Sequence, residues 1–144
     1  MTRYILDSDH VTLHQRRELA VVQRLADVPP DQVFVSIVTV EEQLRGWLAM
    51  IRRALTPERL IAAYASLHRA VTYFAQVNIL DYTEDAAGHF ATLRAQRIRI
   101  GTQDLRIAAI ALAVDGIVVT RNRRDFRQVP GLLVEDWSET TSSC

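Results

Sequence analysis

Short apolar runs alternate with longer amphipathic stretches along this chain, and the alternation predicts strands separated by helices. Tyr4-Ile5-Leu6 stops at Asp7-Ser8-Asp9, as expected of a buried strand that delivers acids at its carboxyl end. A mixed segment over residues 11–26 predicts a helix, which Pro29-Pro30 closes before a second apolar run over 33–38, the second strand. Thr39, followed three positions later by Glu42, has capping-box spacing and predicts a helix over 40–50. Thr56-Pro57-Glu58 opens another helix, with Thr as cap, Pro at the first helical position and Glu at the positive end. That helix runs toward Asn78, in one piece or two.

Residues 79–82 read as a short strand or extended link, and Thr83 caps a helix reaching about Arg97. Between Gln103 and Val114 the apolar positions cover nearly the whole circumference, so this helix should be buried, its alanines allowing close approach to a sheet. Asp115-Gly116 turns into the strong strand signal of residues 117–120, and Pro130-Gly131 introduces a last short strand over 132–134. Strands joined through helices favour an α/β fold with a parallel sheet covered on both faces. Short linkers give no internal boundary, so residues 1–137 read as a single domain and 138–144 as a C-terminal tail.

Composition narrows the chemistry. A chain of 144 residues, 49% hydrophobic and 24% charged, can bury a core without a disulfide or structural metal. Its 17 basic and 17 acidic side chains give zero formal charge, so any contact with a polyanion must be local. All 17 basic residues are arginine, which excludes a phosphate-binding P-loop lysine and Schiff-base catalysis. The same lack of lysine argues against a phosphoacceptor receiver domain, which would also start from strand-end acids. The sole cysteine, Cys144, permits neither an intrachain disulfide nor a cysteine zinc cluster and fits a reducing compartment. An acid at Asp7 and the lack of 18 consecutive uncharged apolar residues argue against export or membrane spanning, with the cytoplasm as the expected location.

Each notable acid has a plain structural explanation beside a chemical one. Asp7 either ends a strand at a turn or faces a ligand cleft at the strand's carboxyl end, with Asp9 sharing that cleft or its rim. Glu42 either completes a capping box with the Thr39 amide or points toward Asp7; Glu41 projects about 100 degrees away and cannot serve equally. Asp104 sits in the first turn of the apolar helix, where helix-end amides should lower its pKa and keep it anionic at neutral pH. Asn122 and Asp125 have cap and third-position spacing, or they complete a set of oxygen ligands beside Arg121, Arg123, Arg124 and Arg127. His10 and His14 read as residues of a solvated helix face. Acids without a histidine pair or cysteine cluster suit magnesium or manganese better than zinc, and such ions support phosphodiester hydrolysis.

Taken in order, the blocks Tyr4-Ile5-Leu6-Asp7-Ser8-Asp9-His10, Ser36-Ile37-Val38-Thr39-Val40-Glu41-Glu42 with Gly46, Ile100-Gly101-Thr102-Gln103-Asp104-Leu105-Arg106-Ile107-Ala108-Ala109, and Val118-Val119-Thr120-Arg121-Asn122-Arg123-Arg124-Asp125-Phe126 resemble the PIN-domain family. Within it they resemble the VapC-type ribonuclease toxins of type II toxin-antitoxin systems. A closing segment, Val129-Pro130-Gly131-Leu132-Leu133-Val134-Glu135-Asp136-Trp137, extends the resemblance to nearly the whole chain.

The resemblance implies a three-layer sandwich, with a mainly parallel sheet between helices, and a metal-dependent endoribonuclease using Mg2+ or Mn2+. It implies Asp7, Glu42 and Asp104 as the first three metal-binding acids and Asn122 at a fourth, often acidic, position. Asp125 would compensate for the weaker amide ligand, and Ser36, Thr39 and Thr120 would orient carboxylates. The expected reaction leaves 5'-phosphate and 3'-hydroxyl ends on an RNA, with transfer RNA or another structured RNA as substrate class. Expected partners are a VapB-like antitoxin that covers the acids and a second copy of the chain. Trp47, Leu48, Tyr64, Leu67, Tyr73 and Phe74 are candidates for such surfaces or for the core. The alternative is a catalytically weak PIN-like protein that binds RNA or antitoxin without turnover, suggested by Asn122 and the zero net charge.

Overall fold

In the computed structural model, which describes residues 1–139, five strands form one parallel sheet in the order β3-β2-β1-β4-β5. These are β1 (Tyr4–Leu6), β2 (Val33–Ser36), β3 (Asn78–Leu80), β4 (Ile117–Val119) and β5 (Leu133–Glu135). The helices are α1 (Ser8–Gln15), α2 (Leu19–Ala26), α3 (Ile37–Arg53), α4 (Pro57–Ala75), α5 (Glu84–Ala95), α6 (Thr102–Ala113) and the short α7 (Arg123–Phe126). Cys144 and the other tail residues from 140 onward lie outside the described residues.

Strand pleating divides the core into two. Ile5 faces a cluster built on α5 and α6 with Leu93, Ile107, Ile110 and Phe126, whereas its neighbour Leu6 faces Val11, Ala70, Phe74 and Trp137 on the other side. Helix α6 is apolar almost all round, and Leu105, Ile107, Ala108, Ala109, Ile110 and Ala111 are buried, as the sequence pattern predicts. Of the apolar residues in the middle helices, Phe74 is buried, but Leu48 and Tyr64 are 46% and 55% exposed and so do not belong to the core.

Several element boundaries differ from the sequence expectation. The segment expected as one helix over 11–26 breaks at Arg17, which adopts the left-handed conformation (φ 58°). The Arg17 amide donates to the His14 carbonyl and the Glu18 amide to the Leu13 carbonyl at 2.9 Å, which closes α1 before α2 begins. Arg97 and Asp115 occupy the same left-handed position after α5 and α6. Strand β2 stops at Ser36 rather than at residue 38, because Ser36 is the true cap of α3: its Oγ accepts the Thr39 amide at 3.1 Å. The expected Thr39–Glu42 capping box therefore does not form, and Thr39 lies buried inside the first turn. The third strand spans Asn78–Leu80 instead of 79–82, with Asn78 donating to the Val33 carbonyl at 3.0 Å.

Gly116 follows the turn where α6 enters β4, and a Cβ there would lie 2.7 Å from Ile5 Cδ1 and 3.2 Å from the Arg3 carbonyl. Close backbone approach, rather than unusual dihedrals, is what this position requires.

The paired residues Leu6 and Val119 end the β1–β4 ladder, so Asp7 and Thr120 emerge side by side at the carboxyl edge of the sheet. The order of strand addition also reverses at β1: successive strands first extend to one side and then cross to the other, the usual place for a ligand crevice in such sheets. The buried Ser36 cap supplies the first anchor of α3 below that crevice. Ser36→Ala should lower stability by about 1–2 kcal/mol, read as a lower urea midpoint with an unchanged slope. An unaltered midpoint would contradict the assignment of Ser36 as the cap.

Candidate active site

Asp7, 6% exposed, directly follows β1 and is the cap of α1. Its Oδ1 accepts the His10 amide at 3.3 Å, and its Oδ2 accepts the Thr120 hydroxyl at 2.5 Å. The Thr120 oxygen in turn accepts the Asn122 amide at 2.9 Å, which ties the loop after β4 to the acid on β1. One turn into α1, Asp9 Oδ1 lies 2.8 Å from His10 Nδ1, while Asp9 Oδ2 accepts the Arg121 amide at 3.3 Å. One ligating atom from each of Asp7, Asp9 and His10 falls within 4.8 Å of the others.

Burial pushes the Asp7 carboxyl up to about 6, and its contacts with Asp9 add to that against the lowering bonds from His10 and Thr120. Asp9 moves the other way. Its burial is outweighed by hydrogen bonds to His10 and Asp7 and by the Arg121 amide, so its pKa falls. The two carboxyls thus divide one proton unequally, with Asp7 the holder.

His10 does not sit on a solvated helix face, as the sequence suggested, but is wholly buried. Burial lowers its pKa, whereas Asp7 and Asp9 outweigh burial and draw the ring up to about 9. Opposing that charge, the Trp137 amide donates to Nε2 at 3.1 Å. The amide geometry decides the matter, because a proton on Nε2 would face another donor. We therefore assign a neutral ring with its proton on Nδ1, donated to Asp9. Both nitrogens are then used, which makes His10 a brace for the acids rather than a ligand. His14 is also partly buried, with its Nδ1 2.7 Å from the Tyr73 hydroxyl.

Glu42 is half-buried on the first turns of α3, and burial followed by the charge of Asp104 raises its pKa. The Ser8 hydroxyl is near enough to offset part of this, but the two groups do not meet hydrogen-bond geometry. Glu42 Oε1 and Ser8 Oγ are both buried without a partner. Asp104, in the first turn of α6, is likewise raised by burial and then by Asp125 and Asp9. This reverses the expectation that helix-end amides would lower it: nearby acids and desolvation outweigh the helix terminus. Asn122 makes no side-chain cap for α7, contrary to the capping reading; its Nδ2 instead donates to Asp125 Oδ2 at 3.0 Å.

Like-charge effects therefore link Glu42 to Asp104, Asp104 to Asp125 and Asp9, and Asp9 to Asp7. The five carboxyls come from four separate stretches of the chain. Outside them, Glu41 bridges α3 and α6, accepting from Gln103 at 2.8 Å and from Arg45 at 2.6 Å. Among the described residues only Asp7, Asp9 and His10 bring ligating atoms within 4.8 Å of one another, and Glu42, Asp104 and Asp125 stand outside that group; their oxygens, one of them a buried and unpartnered oxygen of Glu42, are of the kind a hard divalent cation takes.

Comparison with known proteins identifies the family of this fold. The PIN domain family model matches residues 6–132. The chain belongs to the PIN-domain family. Ribonuclease VapC2 of Haemophilus influenzae is 31% identical over 95% of this chain and 99% of its own length. The tRNA(fMet)-specific endonuclease VapC of Salmonella typhimurium is 27% identical, covering 95% of this chain and 99% of that protein. Among solved structures, DNA-bound VapBC from Salmonella typhimurium aligns with a TM-score of 0.76 at 27% identity, over 95% of this chain and 99% of that one. VapBC-1 from nontypeable Haemophilus influenzae shares the fold with the same TM-score of 0.76 at 23% identity, over 96% of this chain and 100% of that one.

For this PIN domain, sequence reasoning left two structural contributors at the margin. Asp9 was placed at the cleft or its rim, and the pattern carried no signal that Trp137 would return to lock His10. A buried Asp7 carries a stability cost that its protonation relieves. The folded chain holds that proton up to about 6 and the unfolded chain releases it near 3.8, so stability falls as pH rises between these values. Asp7→Asn should therefore stabilise the metal-free protein by about 1–3 kcal/mol at pH 7.5, an advantage that fades as pH falls toward 4. Thermal melts in chelator at both pH values test this; a lower Tm for the variant at pH 7.5 would contradict it.

Proposed function

We propose that this chain is a divalent-metal-dependent endoribonuclease of the VapC type, hydrolysing RNA phosphodiesters and held inactive by a VapB-like antitoxin. The observation that carries the reading is the convergence of Asp7 and Asp9 within 4.8 Å at the carboxyl edge of a parallel sheet, with Asp104 near enough for Asp9 to raise its pKa and Glu42 near enough to be raised by Asp104. Asp7, Glu42 and Asp104 are the ligating acids in this proposal, with Asp9 and Asp125 completing the charge and Asn122 orienting Asp125. Mg2+ or Mn2+ suits such a set of oxygens. When bound, the cation supplies positive charge against the phosphate and acidifies water.

The chain's own residues have distinct tasks. Thr120 holds the orientation of Asp7 through its hydroxyl, and His10 does the same for Asp9 through Nδ1. Glu42, with an unpartnered oxygen, is free to act on a ligand without breaking an existing bond. Arg124 and Arg127 are exposed on the segment after β4 and supply local positive charge for a phosphate backbone. The substrate class is transfer RNA, by the named activity of the Salmonella typhimurium relative. The VapBC assemblies among the structural neighbours support the antitoxin and a complex able to meet DNA. Exposed Leu48, Ile61 and Tyr64 on α3 and α4 are proposed for contact with the antitoxin or a second copy. Residues 1–137 form the proposed domain, and no helix among the described residues is long and apolar enough to cross a membrane.

Incubation of purified chain with a total RNA pool and with transfer RNA should give cleavage in Mg2+ or Mn2+ and none in chelator. Asp7→Asn and Asp104→Asn should each lose at least ~100-fold in rate while keeping the parent's circular dichroism. Undiminished cleavage in both variants would overturn the assignment, and RNA binding without turnover by the parent would favour the non-catalytic alternative.

A further inference from the structure

One face of the molecule carries a feature that the acids do not use. Beside α1, α3 and α4 lies a cavity of about 550 Å³, lined by Thr12, Gln15 and Arg16 from the first helix region, Gln43 and Trp47 from α3, and Arg69 from α4. None of the residues lining it is Asp or Glu. Among the described residues neither Arg16 nor Arg69 joins an ion pair, although four other arginines do. Arg69 donates only to a neighbouring hydroxyl, that of Ser66, at 2.9 Å.

Arg16 and Arg69 set the charge of this cavity. The Trp47 indole Nε1–H is buried without a hydrogen-bond partner, and an indole nitrogen can donate but never accept. Leaving such a group desolvated costs on folding, so an acceptor brought by a ligand would recover that loss. The Tyr73 hydroxyl, also on the lining, is already paired with His14 Nδ1 at 2.7 Å and so is not a free donor. An acceptor-rich anion matches Arg16, Arg69 and this indole, and a cation does not.

Position then selects among anions. Gln43 lines the cavity and follows Glu42 directly, and its Nε2 reaches the Ser8 carbonyl and the Thr12 hydroxyl, both at 3.4 Å. Ser8 borders the acid cluster, and Ser8, Thr12 and Arg16 are spaced four residues apart along one side of α1. The cavity thus starts at Thr12, one helical turn from Ser8, and lies beside the acids. A polymer whose phosphate stands at the acids can lay a neighbouring part of its backbone here.

We propose that the cavity between α1, α3 and α4 is a phosphate subsite for the single-stranded RNA backbone flanking the cut, with Arg16, Arg69 and the Trp47 indole as its contacts. This deepens the ribonuclease reading and rests on it. Arg16 and Arg69 neutralise phosphate, and the neutral indole adds a directed hydrogen bond. Such a subsite fixes the register of the strand and carries no base specificity.

The test is binding of a fluorescently labelled single-stranded RNA 12-mer to the full chain in chelator, measured against salt. For the Arg16→Ala/Arg69→Ala variant, affinity should fall roughly tenfold or more, and the slope of log K against log salt should become shallower by about 1.4. Arg53→Ala/Arg59→Ala, which removes the same charge elsewhere, should keep the parent slope. Trp47→Phe should weaken binding a few-fold with the slope unchanged, since it removes a neutral donor. Unchanged affinity and slope in the Arg16/Arg69 variant, or the same losses in the Arg53/Arg59 control, would overturn the subsite. It would also be overturned if a labelled hexaglutamate peptide, rather than RNA, bound with dependence on Arg16 and Arg69, because the cavity would then serve a protein partner. Failure of the ribonuclease reading looks different: the parent would bind the 12-mer but not cleave RNA when Mg2+ or Mn2+ is added.

Discussion

Mutual repulsion among Asp7, Asp9, Glu42, Asp104 and Asp125 sets the demands that the surrounding structure meets. Two unit charges about 5 Å apart at an effective dielectric of about 20 repel by about 3 kcal/mol; Asp7 and Asp9 stand within that distance and the other acids add smaller amounts, so gathering them in a partly dry crevice opposes folding. The fold bears this in two ways. Asp7 takes up a proton near neutrality, and the acids that stay charged are held from four stretches of chain whose own packing is apolar and strong. A divalent cation would turn the same repulsion into affinity. Residual instability of the metal-free state and readiness to bind metal are therefore one property.

Neutral groups hold the crevice in place. Thr120 donates a hydrogen bond to Asp7 and accepts one from the Asn122 amide, so one hydroxyl registers the ends of β1 and β4. His10 passes the Trp137 amide on toward Asp9 across a ring with no exposure to solvent. These bonds orient the acids without neutralising them, as a cation would require. The last described segment, after β5, is thereby part of the support for residues at the start of the chain.

Much of this was legible from residue order, and the failures have identifiable causes. The strand-end Asp7, the apolar α6 carrying Asp104 and the Thr56 and Thr83 caps follow from local rules, because each depends on neighbours within one turn. The break between α1 and α2 was hidden because Arg17 takes the left-handed position where glycine is the usual signal. The cap of α3 was misplaced because Ser36 and Thr39 are both capable cap residues. Only the end of pairing with Leu80 shows which one leaves the sheet. The raised Asp104 pKa was out of reach for a different reason: its cause lies in Asp125 and Asp9, brought near by tertiary folding.

The central claim is that these five acids form one cation-binding centre. It is most directly tested by adding substoichiometric Mn2+ to isotope-labelled protein and following paramagnetic broadening in its NMR spectrum. The account predicts that resonances of Asp7, Asp9, Glu42, Asp104 and Asp125 broaden together at the first additions, ahead of exposed acids such as Glu58 and Glu84. Broadening spread evenly over surface acids, or reaching Asp7 and Asp9 while sparing Glu42 and Asp104, would contradict it.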